Sequence, residues 1–533
     1  MRGTPLFWGV VILAAAGCAT LPNVPTTHIV MVNGRGNPVD PTGNIGCRAK
    51  PDSCKDAKEE SRHLWILPIE YRQMDRGLPE SLPARSDLST GSYEAYLKAL
   101  FEDLVKTAPT KHSKRQILIF AHGGLNMQVG TVERAHELMQ AIPREDYYPI
   151  FVNWQSSLFS SYFDHLLYVR QGESWDGWGL MTTPLFVPVY FGADVARAIA
   201  RAPIVWYFMV QNWVKSVWNS ATIAEADAIA TELEQEYRQN PTGGGLRMAH
   251  DPADRREGWD AALAHTTTVL TAPTKLVGSM FIDAFGKSAW EIMLRRTHML
   301  YHTEREFFES RKVAVDGRKP DRPTSRIRPD GALSVFLRRL QDVLVRNGGI
   351  EAWEITLVGH SMGTIVLNQM IREFGVKPAA DVALPFNRIV YMAGAATVRD
   401  YQDSLFPYLR RNRNAHIYHL ILHPKAEIRE RFDPGIPYVD LPPRGSLLVW
   451  VDEFLSAPET PLDRTVGRYE NLLPAVHNTP DEVRGRVHIK AFGAGRDVRA
   501  PQEHGDFTSR LKFWKSECWW SPGQDYPPGC YGQ

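Results

Sequence analysis

The sequence has almost no net charge, and two common ligand-binding motifs are missing from it. Its 61 basic and 60 acidic residues leave a formal charge of +1, so there is no global basic field to attract nucleic acid. Neither an H-E-x-x-H metal motif nor a G-x-G-x-x-G loop after a strand occurs. We therefore expect no metal, no organic cofactor and no nucleic-acid partner.

Long apolar runs are also missing, so we expect no ordinary membrane-spanning helix. Residues 177–193 and 202–214 carry no charge, but both stretches are short of the roughly 20 residues that a span needs. Tryptophan is abundant around them, at positions Trp175, Trp178, Trp206, Trp213 and Trp218. Because Trp favours membrane interfaces, the segment is either an interfacial patch or lid, or a helix pair buried against the core.

Only five cysteines are present, and the first follows an apolar N-terminal segment. Residues 5–16 are apolar, and Ala15, Ala16 and Gly17 precede Cys18. In outline this is a secretory signal. It resembles a bacterial lipoprotein signal, which implies cleavage before Cys18 and lipidation on it, although Ala15 replaces the usual Leu. Ala19, in place of Asp, implies the outer membrane, facing the periplasm. A plain signal peptide or an uncleaved anchor is the alternative.

The other four cysteines form two pairs that are close in sequence. An oxidising compartment would favour the local disulfides Cys47–Cys54 and Cys518–Cys530. A zinc site fits less well, because the pairs lie at opposite ends of the chain and their spacings are too wide for metal knuckles.

Strand-like and helix-like segments alternate along much of the chain. This order predicts an α/β fold with a mostly parallel central sheet and crossover helices. The predicted strands are residues 63–71, 116–124, 147–157, 354–360, 387–396, 415–424 and 486–495, and the predicted helices include 92–107, 132–142 and 362–375.

A gap of nearly two hundred residues separates two groups of predicted strands. One strand–helix–strand step needs only about 30 residues, so we expect the gap to hold a large, mainly helical cap insertion. The expected divisions are a signal in 1–18, a tether in 19–60, the first part of the α/β domain in 61–157, the insertion in 158–350 and the second part in 351–533.

Ser361 lies in the sequence GHSMG, between a predicted strand and a predicted helix. This is the context of the G-x-S-x-G nucleophile elbow, in which small residues such as Gly359 and Gly363 are needed beside a strained serine. The helix that follows directs backbone N–H groups and its positive end towards a developing oxyanion. A structural turn serine is the alternative.

The GHSMG motif, together with AHGG at residues 121–124, resembles the α/β-hydrolase superfamily. The resemblance covers about residues 110–160 and 350–510, and it implies an α/β-hydrolase fold. By this resemblance, the N–H groups of Gly124 and Met362 form an oxyanion hole, and His122 is structural. HGGLN followed by FVNW also resembles a bacterial group of largely uncharacterised hydrolases.

A nucleophilic serine needs a base and an orienting acid. The resemblance implies a histidine in the loop after the last strand, which makes His504 the candidate base, with His477 as a reserve. The acid usually follows the preceding strand, where Glu427 fits best. Asp433, a few residues later, and Asp400, after an earlier strand, remain alternatives.

These residues predict a serine ester hydrolase that forms an acyl-enzyme on Ser361. The expected lipid anchor and the Trp-rich segment favour lipid-like substrates, as in an esterase, lipase or phospholipase. An acyltransferase with the same triad is one alternative. A non-catalytic envelope lipoprotein that uses the fold as a binding scaffold is another, although such a scaffold has no physical need for Ser361, His504 and the HGG loop together.

Overall fold

The computed structural model describes thirteen stretches of the 533-residue chain. The predicted strand 63–71, Asp433 and the cysteines at positions 18, 47 and 54 lie outside them. The described residues are 26–39, 90–126, 128–170, 173–174, 176–217, 221–240, 243–248, 271–302, 331–376, 383–430, 443–493, 499–520 and 529–531.

Within these stretches, one mostly parallel sheet of nine strands forms the centre of the molecule, as the sequence predicted. Its order is β1-β4-β3-β8-β9-β10-β11-β7, and β2 pairs antiparallel with the start of β3. A separate hairpin is formed by Val169–Arg170 (β5) and Glu173–Ser174 (β6). The strands of the sheet are Ile29–Val32 (β1), Thr110–Lys111 (β2), Lys114–Ala121 (β3), Tyr148–Trp154 (β4), Gly245–Met248 (β7), Trp353–His360 (β8), Phe386–Met392 (β9), His416–Leu422 (β10) and Val487–Phe492 (β11).

Helices connect the strands and cover the sheet. Two of them continue into π-helical turns, at Ile371–Val376 and Val451–Leu455. The helices are Thr90–Thr107 (α1), Gln128–Ala141 (α2), Leu158–Leu167 (α3), Asp176–Val217 (α4), Ala221–Gln239 (α5), Ala272–Met299 (α6), Ala332–Arg346 (α7), Gly363–Met370 (α8), Val398–Arg411 (α9), Pro424–Arg429 (α10), Leu447–Trp450 (α11), Tyr469–His477 (α12), Asp481–Arg484 (α13), Asp506–Ser509 (α14) and Ser516–Trp519 (α15).

The register of the central strands brings the two sequence motifs together. In the β3–β8 pair, Ala121 lies opposite Gly359, so both strands end at the same level. Because the strands are parallel, the HGG loop after β3 and the GHSMG turn after β8 leave the same edge of the sheet. β10 and β11 end at this edge too, since Leu422 lies opposite Phe492.

The expected tether, residues 19–60, contains a buried strand. The Cα atoms of Ile29 to Val32 pair with those of Phe151 to Trp154 in β4, and all four side chains are buried. The tether prediction is therefore wrong for residues 26–39. Pro, Gly and Asn in the surrounding sequence suggested a linker, but four consecutive apolar residues form a fully buried parallel strand.

Residues 158–350 are mainly helical where they are described, but they do not form a cap alone. β7 lies within this range and adds a parallel strand to the sheet beside β11. α7 belongs to the core, because Phe336 stacks on Phe101 of α1 and the Tyr93 hydroxyl donates to the Ala332 carbonyl at 2.9 Å. The insertion therefore contributes one strand to the sheet and one helix to the core before β8 begins.

The C-terminal cysteine pair is joined in the structure. Cys518 and Cys530 form a disulfide, and both residues are buried in the core. The ammonium group of Lys490, on β11, donates to the carbonyl of Cys518 at 3.1 Å. The bridge thus joins the last described residues of the chain to a segment that contacts β11.

Candidate active site

Ser361 is in the turn between β8 and α8 and has a left-handed backbone conformation. Its φ is +51°, which is uncommon for a residue other than glycine. Its N–H donates to the Met392 carbonyl at 2.9 Å, and its own carbonyl accepts from Ala395 N–H at 3.0 Å and from Thr364 Oγ1 at 2.7 Å. These bonds hold a conformation that costs about 1–3 kcal/mol, as the nucleophile-elbow interpretation requires.

The two glycines of the motif are needed because the backbone is crowded on both sides of the turn. A Cβ atom on Gly363 would lie 2.2 Å from the carbonyl oxygen of Ala121. A Cβ atom on Gly359 would lie 3.1 Å from the carbonyl carbon of Gly363 and 2.8 Å from Leu367 Cδ1. Helix α8 can therefore start directly over the ends of β3 and β8 only if both positions lack a side chain.

The HGG loop packs directly on this turn. A Cβ atom on Gly123 would lie 3.1 Å from Ser361 Cβ, and one on Gly124 would lie 3.3 Å from Met362 Cβ. The two predicted oxyanion-hole residues, Gly124 and Met362, are therefore neighbours. Met293, from helix α6, covers them, since its Cε would lie 2.8 Å from a Cβ on Gly124.

His122 has the structural position expected of it. Its Nδ1 donates to the Gly123 carbonyl at 2.7 Å, and its Nε2 accepts from Trp154 N–H at 3.2 Å. Its ring stacks on Trp154 with 3.8 Å between ring centroids, and burial lowers its pKa to about 4. Both nitrogens are occupied by backbone groups, so His122 is not available as a base.

His504 lies at the same edge of the sheet, beside the residue that precedes Ser361. Its ring centroid is 5.0 Å from that of His360, and its carbonyl accepts from His360 Nε2 at 3.0 Å. The ring nitrogens of His504 are buried and make no hydrogen bond to any described residue, Ser361 included. Burial holds the pKa of His504 well below 6.5, so its imidazole is neutral at neutral pH.

Glu427 is not brought to His504. Its carboxylate is buried near Arg468, with Nε at 3.8 Å from Oε2, and Ser446 Oγ donates to Oε1 at 3.4 Å. Asp452, Glu453 and Glu470 surround the same arginine, and burial raises the pKa of Glu427 well above its usual range. The described contacts of Glu427 therefore belong to a structural ion cluster.

The other sequence candidates lie elsewhere. Asp400 accepts from Asn368 Nδ2 at 2.8 Å and pairs with Arg372, so it links α9 to α8 and its turn rather than to His504. His477 is a half-exposed residue of α12, 3.7 Å from Glu232 of α5. Asp433 lies outside the described residues.

Glu430 is the carboxylate that the structure places at His504, and the sequence analysis missed it. Its Oε2 accepts from the backbone N–H of His504 at 2.9 Å, while its other oxygen makes no hydrogen bond to a described residue. Burial raises the pKa of Glu430 to about 8. Its position just after β10 and α10, one helical turn beyond Glu427, was the signal that could have identified it.

A cavity of about 380 Å³ adjoins the HGG loop on the side of α2. His122, Gly123, Asn153 and His360 line it, together with Gly505. The side-chain amide of Asn153 is buried there. Neither Ser361 nor His504 is among the lining residues, so the cavity lies beside the turn and not above the serine hydroxyl.

Comparisons with known proteins add no relative. No protein-family model, no curated protein sequence and no solved structure matches this chain. The geometry of the site is therefore the basis for the functional conclusion.

Proposed function

We propose that this protein is a serine ester hydrolase with an α/β-hydrolase fold and a mainly helical cap. The observation that carries the proposal is Ser361 at φ +51°, fixed between a parallel strand and a helix by close-packed glycines. A serine held in a strained strand-to-helix turn at the edge where the strands end supports the proposal, because a nucleophile elbow places its serine in such a turn.

In the proposed reaction, Ser361 Oγ attacks the carbonyl carbon of an ester. His504 accepts the serine proton and later gives it to the leaving alcohol. The N–H groups of Gly124 and Met362 donate to the oxyanion of the tetrahedral intermediate. Water then attacks the acyl-enzyme, with His504 again as base, and releases the carboxylic acid.

We assign the orienting acid to Glu430 rather than Glu427. The contact between Glu430 and the His504 backbone supports this choice, whereas Glu427 is occupied beside Arg468. In the proposed triad, the Glu430 carboxylate accepts from a ring N–H of His504. Hydrogen bonds between catalytic groups are often long or poorly aligned before substrate binds, so the unpaired ring of His504 is compatible with the proposed role.

The same unpaired ring favours the second candidate, a non-catalytic scaffold in which the triad never assembles. Hydrolysis of p-nitrophenyl esters by the purified full-length chain in detergent micelles separates the two. The catalytic proposal predicts turnover that Ser361→Ala abolishes and that Ser456→Ala, at a half-buried serine away from the site, leaves unchanged. Absence of turnover by the folded wild type with every acyl length from acetyl to palmitoyl would support the scaffold.

The acid assignment has its own test. Removing the acid of a serine triad lowers kcat by about 10⁴-fold. We expect a loss of this size for Glu430→Gln above pH 8, where the Glu430 carboxyl is ionised, and less than a tenfold change for Glu427→Gln. The reverse result would return the role to Glu427, and full activity in both variants would remove it from this loop segment.

A further inference from the structure

Three helices that follow β4 expose apolar residues and bury polar ones, which is the reverse of a helix on a water-exposed surface. Such a helix normally turns its apolar residues inward and its charges outward. In α4, fourteen residues between Pro184 and Val210 are exposed, and none of them is charged. The large side chains among them include Leu185, Val189, Ile199, Ile204, Tyr207 and Val210, each more than half exposed.

The charged residues of α4 between Pro184 and Val210 lie on its inner face. Asp194 is buried and accepts from Ser288 Oγ at 2.8 Å, and Arg197 pairs with it at 3.1 Å. Arg201 pairs with Asp283 of α6, which is fully buried. An inner face that is ionic and an outer face that is apolar are both expected for a helix whose outside is not in water.

The neighbouring helices repeat this inversion. In α6, Lys275, Ser279 and Asp283 are buried, while Val277 and Phe281 are 55% and 57% exposed. In α3, Phe159 is 63% exposed, whereas the next two residues, both serines, are buried. An inversion shared by three helices is a property of one face of the molecule.

This apolar face, defined by the exposed residues of α3, α4 and α6, is continuous between α4 and α6. Phe285 of α6 joins its two largest parts, since its ring centroid is 6.0 Å from that of Phe191 on α4 and 6.1 Å from that of Phe281. Between Leu185 and Val210 the face extends about 38 Å along α4, at 1.5 Å per residue. Exposed apolar patches on this scale mark binding surfaces.

We propose that this apolar face docks on a lipid bilayer, with α4 lying in the plane of the interface. Protein interfaces carry about one hydrogen bond per 100–200 Å² and are enriched in Arg, whereas the exposed side chains of α4 between Pro184 and Val210 offer only the hydroxyl of Tyr207. The acyl boundary of a bilayer, which has no hydrogen-bonding groups to satisfy, matches such a surface. No described helix is both long enough and apolar enough to cross a membrane.

A membrane would be within reach of the body of the protein if the expected lipid anchor forms. Cys18 stands eight residues before Thr26, the first described residue, so the connection spans at most about 29 Å. Most exposed residues of the apolar face lie in the two uncharged runs that the sequence singled out, but the two tryptophans whose side chains are described there are not among them. Trp206 is half-buried and donates from Nε1 to the Leu276 carbonyl at 3.1 Å, and Trp213 is half-buried as well.

Depth-dependent quenching tests the docking. A nitrobenzoxadiazole label is placed on a cysteine at Val189 of the full-length chain, in a Cys47→Ser, Cys54→Ser background. The matched control carries the label at Val345 of α7, an exposed valine on another helix. Each protein is reconstituted with phosphatidylcholine–phosphatidylglycerol vesicles, with or without bromine on the acyl chains, and the background without the added cysteine is the blank.

We expect emission of the Val189 label to rise at least twofold with vesicles and to be quenched at least twofold by brominated chains. The Val345 label should show neither change. Equal responses at the two positions would overturn the proposal. So would a Val189 label that is shielded without lipid in a protein that sediments as a dimer, because a second copy would then cover the face.

A charged variant provides a second readout. With the label at Phe281, replacing both Val189 and Val210 by Glu should at least halve the quenching, and Val345→Glu should leave it unchanged. All four substituted positions, Phe281 included, are exposed, so folding should be preserved, which near-ultraviolet circular dichroism checks. Undiminished quenching in the double variant would contradict docking through α4. The inference does not rest on the proposed catalysis, since no readout involves Ser361.

Discussion

In the candidate site, Gly363 lies so close to the backbone of β3 that it cannot carry a side chain. This gives a prediction that can be tested without knowing the substrate. In Gly363→Ala, the new Cβ would meet the Ala121 carbonyl oxygen at 2.2 Å and its carbonyl carbon at 2.8 Å. Both atoms belong to the backbone of β3, whose pairing with β4 and β8 prevents it from yielding alone. The turn must therefore move away from the end of the strand.

The size of the effect follows from two opposing contributions. Overpacking of this kind costs about 1–3 kcal/mol, and a contact between backbone groups belongs at the upper end. Alanine in place of a helical glycine regains at most about 1 kcal/mol. We therefore expect Gly363→Ala to lower the free energy of unfolding by about 2 kcal/mol and to abolish labelling of Ser361 by a phosphonate probe.

Gly192→Ala is the matched control. Gly192 is a helical residue of α4, and a Cβ atom there would meet nothing within 4 Å. We expect this variant to be up to about 1 kcal/mol more stable than the wild type, because only the backbone effect remains. Urea unfolding of the wild type, Gly363→Ala and Gly192→Ala measures both changes in the free energy of unfolding. A Gly363→Ala protein as stable as Gly192→Ala would refute the close packing of the turn.

Three further predictions concern buried charge, pH and the disulfide. Arg201→Met should destabilise the protein by about 3–5 kcal/mol by leaving the Asp283 carboxylate buried without its partner, and Asp283→Leu in the same chain should recover most of this loss in thermal unfolding. Burial raises the pKa of Glu430 from 4.5 to about 8, so the folded state binds a proton that the unfolded state has lost, and the contribution of Glu430 to stability falls as pH rises between these values. The urea midpoint should therefore decline from pH 5 to pH 8, and Glu430→Gln should make this decline smaller. Removing the Cys518–Cys530 bridge, with 12 residues of sequence separation, should cost about 3 kcal/mol, and an unchanged midpoint after reduction would contradict this.

The central strands and their crossover helices could be predicted from sequence because local and global signals agree there. QILIF and EITLV are short apolar runs that end in glycines, and both form buried parallel strands. The turn at Ser361 was predictable for the same reason, since glycine is the only residue that fits at Gly363. These features depend on residues that are near each other in the chain.

The features that could not be predicted depend on distant partners. Glu427 and Glu430 have the same spacing signal after β10, and only the position of Arg468 decides which of them is occupied elsewhere. The strand β7 is apolar at too few positions to stand out, and its pairing with β11 joins residues more than two hundred positions apart. The apolar face on α4 was anticipated from Trp content, but the exposed residues are mainly aliphatic, because exposure depends on which side of the helix packs.

The measurement that tests the central claim most directly is labelling of the full-length protein by a fluorophosphonate, with the modified residue identified by mass spectrometry. The account predicts one phosphonylated residue, Ser361, with no labelling in Ser361→Ala and normal labelling in Ser456→Ala. It also predicts that labelling rises with detergent micelles, which imitate the lipid surface. A folded wild type that stays unlabelled both with and without micelles, or a label on another serine, would contradict the claim that Ser361 is an activated nucleophile.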